Sequence, residues 1–471
     1  MSINSTVVRT VVDQVWADAL PVLEDYIRIP AKSPAFDPDW NEHGHLADAV
    51  ELIRSWCAAN APAGTTVEVQ ELPGRTPLIL MEVGAHGGSD DDTVLLYGHL
   101  DKQPEMTGWH DGTGPWIPVM KDDRLYGRGG ADDGYSAFAI IAALRAVREA
   151  GGNHNRCVAL IEACEESGSV DLPAHLEALG DRVGQVSLVI ALDSGAGDYE
   201  GLWVTTSLRG GVHVVLRVEV LTEGVHSGLS SGAVPSSFRL SRQLLDRIED
   251  PVTGQILLPD LHVDIPPGRV EEARAAAEAG YDITPNFPWA GDTQPMSDDP
   301  ADLLLATTWR PTLSYVGIDG VPSIADGGNV LRPSTTLGLS FRLPPLCDPD
   351  RAAAAIKAKF EANPPAGARV TCEIEGTGWG WNAAANQMWL ATVLEASSTT
   401  HFGRPARSFG IGGGIPFIAM LGELYPEAQF VVTGVVGPGS NAHGPNEFLD
   451  IPTGRKVTAC VAEILHAHAD R

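Results

Sequence analysis

Residues 162–169 read EACEESGS, with Glu165 and Glu166 side by side just after the apolar run VALI at 158–161. Adjacent like charges repel, so such a pair at a buried strand end needs something to neutralise it. A solvated turn is one answer. A metal centre, where one carboxylate binds a cation and its neighbour handles a proton, is the other. The second gains weight because similar residues recur in GHLD (His99, Asp101), GGADDG (Asp132, Asp133), ALDSG (Asp193) and NAHGPNE (His443). Mixed histidine and carboxylate donors suit zinc, cobalt or manganese, whereas calcium and magnesium prefer all-oxygen shells. Two histidines with several carboxylates exceed the needs of one tetrahedral ion, and the surplus points to two metals sharing a carboxylate.

Such residues need a scaffold that brings strand ends together. VVDQVWADALPVLEDYIRI and LADAVELIRSWCAA have the apolar spacing of helices. From about residue 66, strand-like runs alternate with helical ones: TVLLYGHLD at 93–101, the helix YSAFAIIAALRAVREAG at 135–151, then CVALIEACEE and VSLVIALDSG. This βαβ rhythm predicts an α/β fold with a mostly parallel central sheet, in which ligands bind beyond the carboxyl ends of the strands. Four of the clusters stand at or just after such ends, and His443 follows QFVVTGVV. Near residue 207 the pattern changes. GGVHVVLRVEV alternates as a half-exposed antiparallel strand, SSFRLSRQLLDRIED is an amphipathic helix, and a Pro/Asp-rich stretch covers about 259–300. The strand TTLGLSFRL, the helix PDRAAAAIKAKFEA and the strand ARVTCEIEG follow, and α/β character returns from about 383. One α/β domain (1–206 and 383–471) is therefore expected to be interrupted by an inserted α+β domain (207–382).

The bulk numbers exclude several classes. A chain of 471 residues exceeds what one core supports, and 44% hydrophobic with 20% charged residues is ordinary for a globular protein. A net charge of −29 argues against nucleic acid or an anionic membrane as partner and favours cationic ligands. No run of about 18 apolar residues and no secretory signal pattern is visible. The cysteines at 57, 157, 164, 347, 372 and 460 contain no C-x-x-C pair, which points to a reducing cytoplasm. His86, His154, His466 and His468 read as surface residues.

The ordered set YGHLDKQP, LYGRGGADDG, EACEESGS, ALDSG, GVHSG, NVLRPSTTLGLSFRLPP, GGGIP and NAHGPNEF resembles the M20 family of metallopeptidases, most closely its carnosinase-like dipeptidases. The resemblance spans nearly the whole length. It implies a di-metal catalytic domain and an inserted lid that mediates homodimerisation. His99 and Asp193 would hold one divalent ion, Glu166 and His443 the other, and Asp132 both, with zinc first and manganese or cobalt as alternatives. Asp101 would orient His99. Glu165 would be the general base, passing a proton from a metal-bridging water, the nucleophile, to the leaving amine. His226 would reach into the partner subunit's site to stabilise the oxyanion. Arg342 would clamp a substrate carboxylate, and Asn329 would add a contact from the same surface. The Asp132–Asp133 peptide would be cis. The implied function is hydrolysis of dipeptides or small peptide-like substrates, which Asp193 favours over deacylation because deacylases of the family usually carry Glu there. The alternative is an N-acyl amino acid or other small-amide hydrolase.

Three departures stand out. The family's Lys-Gly after the Asp-Asp pair is Gly134-Tyr135, its G-G-S-I-P is GGGIP without the hydroxyl, and Gly410-Ile411 replace charged residues. These leave the metal residues intact and remove polar contacts to substrate. GLSSG at 228–232 matches a serine-hydrolase elbow, but AVPSS intervenes where a helix must start directly.

Overall fold

The first helix, Ser5–Arg28, starts where the Asn4 side chain accepts hydrogen bonds from the backbone N–H groups of Thr6 and Val7 in a computed structural model that describes residues 3–471. Its buried residues Val8, Val11, Val12, Val15, Trp16, Ala19, Leu23, Tyr26 and Ile27 recur at helical spacing. That stripe packs against the helices Ser136–Glu149 and Ile451–Ala469.

The chain divides into two compact units. The first comprises the chain up to Thr206, Ala383–Phe409 and Met420–Arg471; the second comprises Ser207–Asn382 and Gly410–Ala419. In the first, the sheet order is Thr65–Gln70, Leu78–Val83, Arg156–Glu162, Thr93–His99, Val186–Ala191, Gln429–Val432, Trp203–Leu208. The middle neighbours from Arg156–Glu162 to Gln429–Val432 run parallel, and the outer ones pair antiparallel. Thr93–His99 is buried along its whole length, which is why it reads as an unbroken apolar run. The fold is the mixed α/β type with a mainly parallel central sheet.

In the second unit, antiparallel strands run in the order Thr312–Asp319, Ser334–Leu343, Gly210–Glu219, Arg369–Gly378. Val212, Val214, Leu216 and Val218 face inward while His213 and Arg217 are exposed. The helices Ser237–Leu245 and Pro349–Glu361 cover the inward face with Leu240, Leu244, Ile356 and Phe360. Two further elements carry no periodic signal in the sequence. The Pro/Asp-rich stretch contains the helix Pro267–Glu278, which buries only Ala273 and Ala276 and so shows no apolar stripe. Thr312–Asp319 is an edge strand whose Tyr315, Val316 and Ile318 are all exposed, so it lacks alternation.

Candidate metal centre

Asp132 stands between two histidines: its Oδ1 lies 3.3 Å from His99 Nε2, and its Oδ2 lies 3.0 Å from His443 Nε2. Glu166 Oε2 is 3.4 Å from His443 Nε2, and Asp193 Oδ1 is 3.8 Å from His99 Nε2. Donor atoms of His99, Asp132 and Glu166 all fall within 4.8 Å of one another, as do those of His99, Glu165 and Asp193. The topology explains the convergence. His99 ends one parallel strand, Glu165 and Glu166 follow its neighbour Arg156–Glu162, and Asp193 follows Val186–Ala191. Asp132 lies just before the helix Ser136–Glu149, and His443 lies beyond Gln429–Val432.

Each donor is held by its neighbours. His99 Nδ1 faces the Asp101 carbonyl oxygen at 3.1 Å; a carbonyl only accepts, so Nδ1 donates, and the other ring nitrogen, Nε2, is the one turned to Asp132. The Asp101 carboxylate is 3.5 Å from Nδ1. Its closer partners are the backbone N–H groups of Glu165, which donates to Oδ1 at 3.1 Å, and Glu166, which donates to Oδ2 at 3.0 Å. Asp101 therefore fixes the turn that carries the two glutamates while its backbone orients His99. Gln103 Nε2 donates to Glu166 Oε2 at 2.5 Å.

The Asp132–Asp133 peptide is cis. Asp133 is fully buried and accepts the His99 backbone N–H at 3.2 Å. The residue after this pair must be glycine here: a Cβ at Gly134 would collide with the Tyr26 ring and meet the Gly129 carbonyl oxygen at 2.6 Å. Tyr26 donates its hydroxyl to the Leu100 carbonyl, and Tyr135 donates its own to the Leu192 carbonyl at 2.6 Å. Close packing thus accounts for glycine at 134, and a buried hydrogen bond holds Tyr135.

The electrostatics show more negative charge than the histidines neutralise. Burial, reinforced by Asp193, pushes the Glu165 carboxyl up; burial and Asp132 push Glu166 up to about 8; burial also raises Asp193. Burial works against Asp132 too, but hydrogen bonds from His443 and His99 outweigh it and hold that carboxyl below the ordinary range. Loss of hydration would lower both histidines, His99 by full burial and His443 by its partial desolvation. The Asp193, Asp101 and Asp132 carboxylates reverse this at His99, and Asp132 and Glu166 bring His443 up to about 9. Imidazole nitrogens and carboxylate oxygens converging with surplus negative charge fit a pair of divalent cations of the zinc, manganese or cobalt type.

The other expected site residues lie in the second unit. His226 is exposed, pairs in register with Val330, and its Nδ1 accepts the Gly228 N–H at 3.1 Å. Asn329 is on the same ribbon, where its carbonyl accepts the Ser227 N–H at 2.9 Å. Arg342, half-buried, stands opposite Thr312 and Gly211 in the four-stranded sheet. Sequence reasoning missed Arg209, one residue before the alternating strand. Its Nε donates to the Gly412 carbonyl at 3.0 Å and its backbone N–H to that of Gly413 at 3.2 Å. Burial and Arg342 push its guanidinium down to about 10. A Cβ at Gly412 would meet the Thr307 carbonyl at 2.6 Å and Arg209 Nη2 at 3.1 Å, so this crowding accounts for glycine at Gly412 in GGGIP. The GLSSG segment makes one turn, Ser227–Ser230, and the next helix begins only at Ser237. No helix among the described residues is long and apolar enough to cross a membrane.

Residues 95–467 match the profile of peptidase family M20/M25/M40. The chain is 27% identical over 399 residues to the cysteinylglycine-S-conjugate dipeptidase of Corynebacterium striatum, covering 80% of this chain and 81% of that one. It is 29% identical over 282 residues to the Beta-Ala-His dipeptidase of Homo sapiens, over 57% and 53% of the two chains. The structure of the dipeptidase Dug1p from Saccharomyces cerevisiae has the same fold, with a TM-score of 0.75 over 100% of both chains at 23% identity. With that match running from within the His99 strand into the last helix, the chain is an enzyme of peptidase family M20/M25/M40.

Proposed function

We propose that this enzyme hydrolyses the amide bond of dipeptides or small peptide-like substrates at a two-metal centre. The observation that carries the reading is Asp132, which faces His99 with one carboxylate oxygen and His443 with the other. His99 and Asp193 would hold one ion, Glu166 and His443 the second, and Asp132 both, zinc being first choice and manganese or cobalt the alternatives. When bound, such ions polarise a scissile carbonyl and make water a stronger nucleophile at neutral pH.

Glu165 is the general base. It groups with His99 and Asp193, and its raised carboxyl suits a residue that takes a proton from the attacking water and hands it to the leaving amine. Asp101 keeps that carboxylate in place through the Glu165 N–H. Arg342 supplies a guanidinium for a substrate carboxylate, Asn329 a neighbouring polar contact, and His226 a hydrogen bond to the developing oxyanion.

Residues 207–382 act as the lid and dimerisation domain between catalytic segments 1–206 and 383–471. The exposed edge strand Thr312–Asp319, with its apolar Tyr315, Val316 and Ile318, supports pairing with a second copy. In that homodimer His226 serves the partner's site. Mixing His226→Ala with Glu165→Ala subunits, each inactive alone, then restores about a quarter of the sites, because half the dimers are mixed and each has one intact site. Demonstrated exchange without activity would remove the trans role. Six buried free thiols accord with a cytoplasmic setting.

The second reading, an N-acyl amino acid or other small-amide hydrolase, is favoured by the GGGIP loop, which offers no hydroxyl to the substrate. The names of both curated relatives support dipeptides. Metal-free enzyme reloaded with zinc, manganese or cobalt and given free dipeptides beside N-acyl amino acids decides between them. Undiminished turnover after exhaustive chelation would sink the metal reading altogether.

A further inference from the structure

His443 is the donor least supported by secondary structure. It sits in an irregular segment where Asn441, His443 and Asn446 all have positive φ, at 55°, 65° and 64°. Non-glycine residues adopt that region at a cost, so surrounding contacts must impose it. His443 is also 56% exposed, whereas His99 is fully buried. Something must keep its ring against Asp132.

A buried ion pair is placed to do this. Arg128 and Glu447 are 1% and 0% exposed, with Nη1 donating to Oε2 at 2.7 Å. Arg128 Nη2 donates to the carbonyl of Gly444, the residue after His443, at 2.7 Å. In the opposite direction, Glu447 Oε1 accepts the N–H groups of Gly129 at 3.0 Å and of Ala131, the residue before Asp132, at 3.3 Å. The Glu447 carbonyl accepts the Gly127 N–H at 3.0 Å. Two segments more than 300 positions apart are thus closed on each other at the residues flanking Asp132 and His443.

Stability is a poor reason for such a pair. Charges taken out of water lose hydration that their attraction seldom repays in full, and a well-packed apolar pair is often as stable. Arg128 Nε is moreover buried with no hydrogen-bond partner among the described residues. What a forked guanidinium supplies is geometry, reaching a carboxylate and a carbonyl at once. We propose that Arg128 and Glu447 are positioning residues that set the His443–Asp132 half of the metal centre, leaving the His99–Asp193 half to its strand ends.

The inference rests on the two-metal reading, so wild type is measured first. Equilibrium dialysis against buffered zinc, read by elemental analysis, should give two ions per chain; fewer would defeat that reading and this proposal together. A lone substitution strands a buried charge and is expected to unfold part of the protein. The informative variant is therefore Arg128→Met with Glu447→Gln, which removes both charges and keeps an oxygen for Gly129 and Ala131. It should unfold in urea near the wild-type midpoint, hold one ion with wild-type affinity and bind the second about 10- to 100-fold more weakly, as for other residues that orient ligands. Arg128→Lys, which keeps the charge but reaches one partner at a time, should fall between. Two ions bound with wild-type affinity by the double variant would overturn the proposal, as would equal weakening of both ions.

Discussion

At the amino ends of the central strands His154 and His468 are as buried as His99 is at the carboxyl ends, yet their titration runs the other way. Burial, with Arg148 for one and Arg471 for the other, pushes both down to about 4. His154 Nδ1 donates to the Asn155 carbonyl at 2.7 Å while its Nε2 accepts from Arg148 Nε at 3.0 Å. His468 faces Ser187 Oγ at 2.8 Å. Asp92, the carboxylate in that network, receives Asn155 and Arg471, each at 2.7 Å, and the Ser187 hydroxyl. Every charge there has its donor. At the other edge Asp132, Glu165, Glu166 and Asp193 crowd around two imidazoles, and the carboxylates drive the histidines up. Buried histidine does not mark a metal site; a surplus of carboxylate over hydrogen-bond donors does.

The largest effect should come from the one carboxylate proposed to move protons. Glu165→Gln keeps the size of the side chain and should lower kcat about 100- to 10,000-fold with both ions still bound. Steady-state kinetics beside metal analysis checks this, and most of the activity surviving would remove Glu165 from the proton path. Next come the histidines. His99→Ala should weaken metal binding by more than about 100-fold, beyond the range for residues that only orient ligands. His468→Ala, equally buried, should leave metal content at its wild-type value. Equal metal loss in both would mean the two edges are not distinct.

The readable parts of this contrast are those written locally. Parallel strands covered on both faces are continuous apolar runs, so their acid-tipped ends at His99, Glu165 and Asp193 stand out. His154, His466 and His468 read as surface residues in the sequence, yet all three are buried. His154 stacks on His86, Asn153 donates its N–H to His466 Nδ1, and His468 meets Ser187 and Asn155, all partners far along the chain. Arg128, Glu447, Gln103 and Arg209 escaped for the same reason: a side chain whose partner is far along the chain leaves no period to read. Asp101 was legible as a neighbour of His99, but its grip on the Glu165–Glu166 turn was not.

The two edges also separate by pH. His154 has a folded-state pKa of about 4 against an ordinary 6.5, so between those values the unfolded chain binds the extra proton and stability falls as pH falls. The loss attributable to it is at most about 3 kcal/mol, at 1.36 kcal/mol per pH unit. The raised carboxyls of the metal-free centre have the opposite slope, because the folded state holds their protons more tightly. Urea unfolding of chelated protein between pH 7 and 4.5 should show wild type losing more stability than His154→Gln. Parallel curves would show that His154 takes up its proton in the folded state.

The smallest expected effect tests whether the amino-end network is purely structural. In Asp92→Asn, one oxygen and the overall shape remain, while the charge facing Arg471 and the Ser187 hydroxyl is lost. Hydrogen bonds to charged groups contribute about 1.5 to 3 kcal/mol when buried. Asp92 and Arg471 are 27% and 26% exposed, so water screens them and fills vacated positions, and about 1 kcal/mol is the expected loss. His468 adds nothing further: Asp92 raises its pKa, so removing the charge leaves the imidazole neutral, as it already is at working pH. The variant should therefore melt slightly earlier while binding two ions and keeping its kcat/KM. A drop in bound metal approaching that of His99→Ala would show that the sheet transmits between its ends, and charge surplus alone would no longer explain where the metal centre lies.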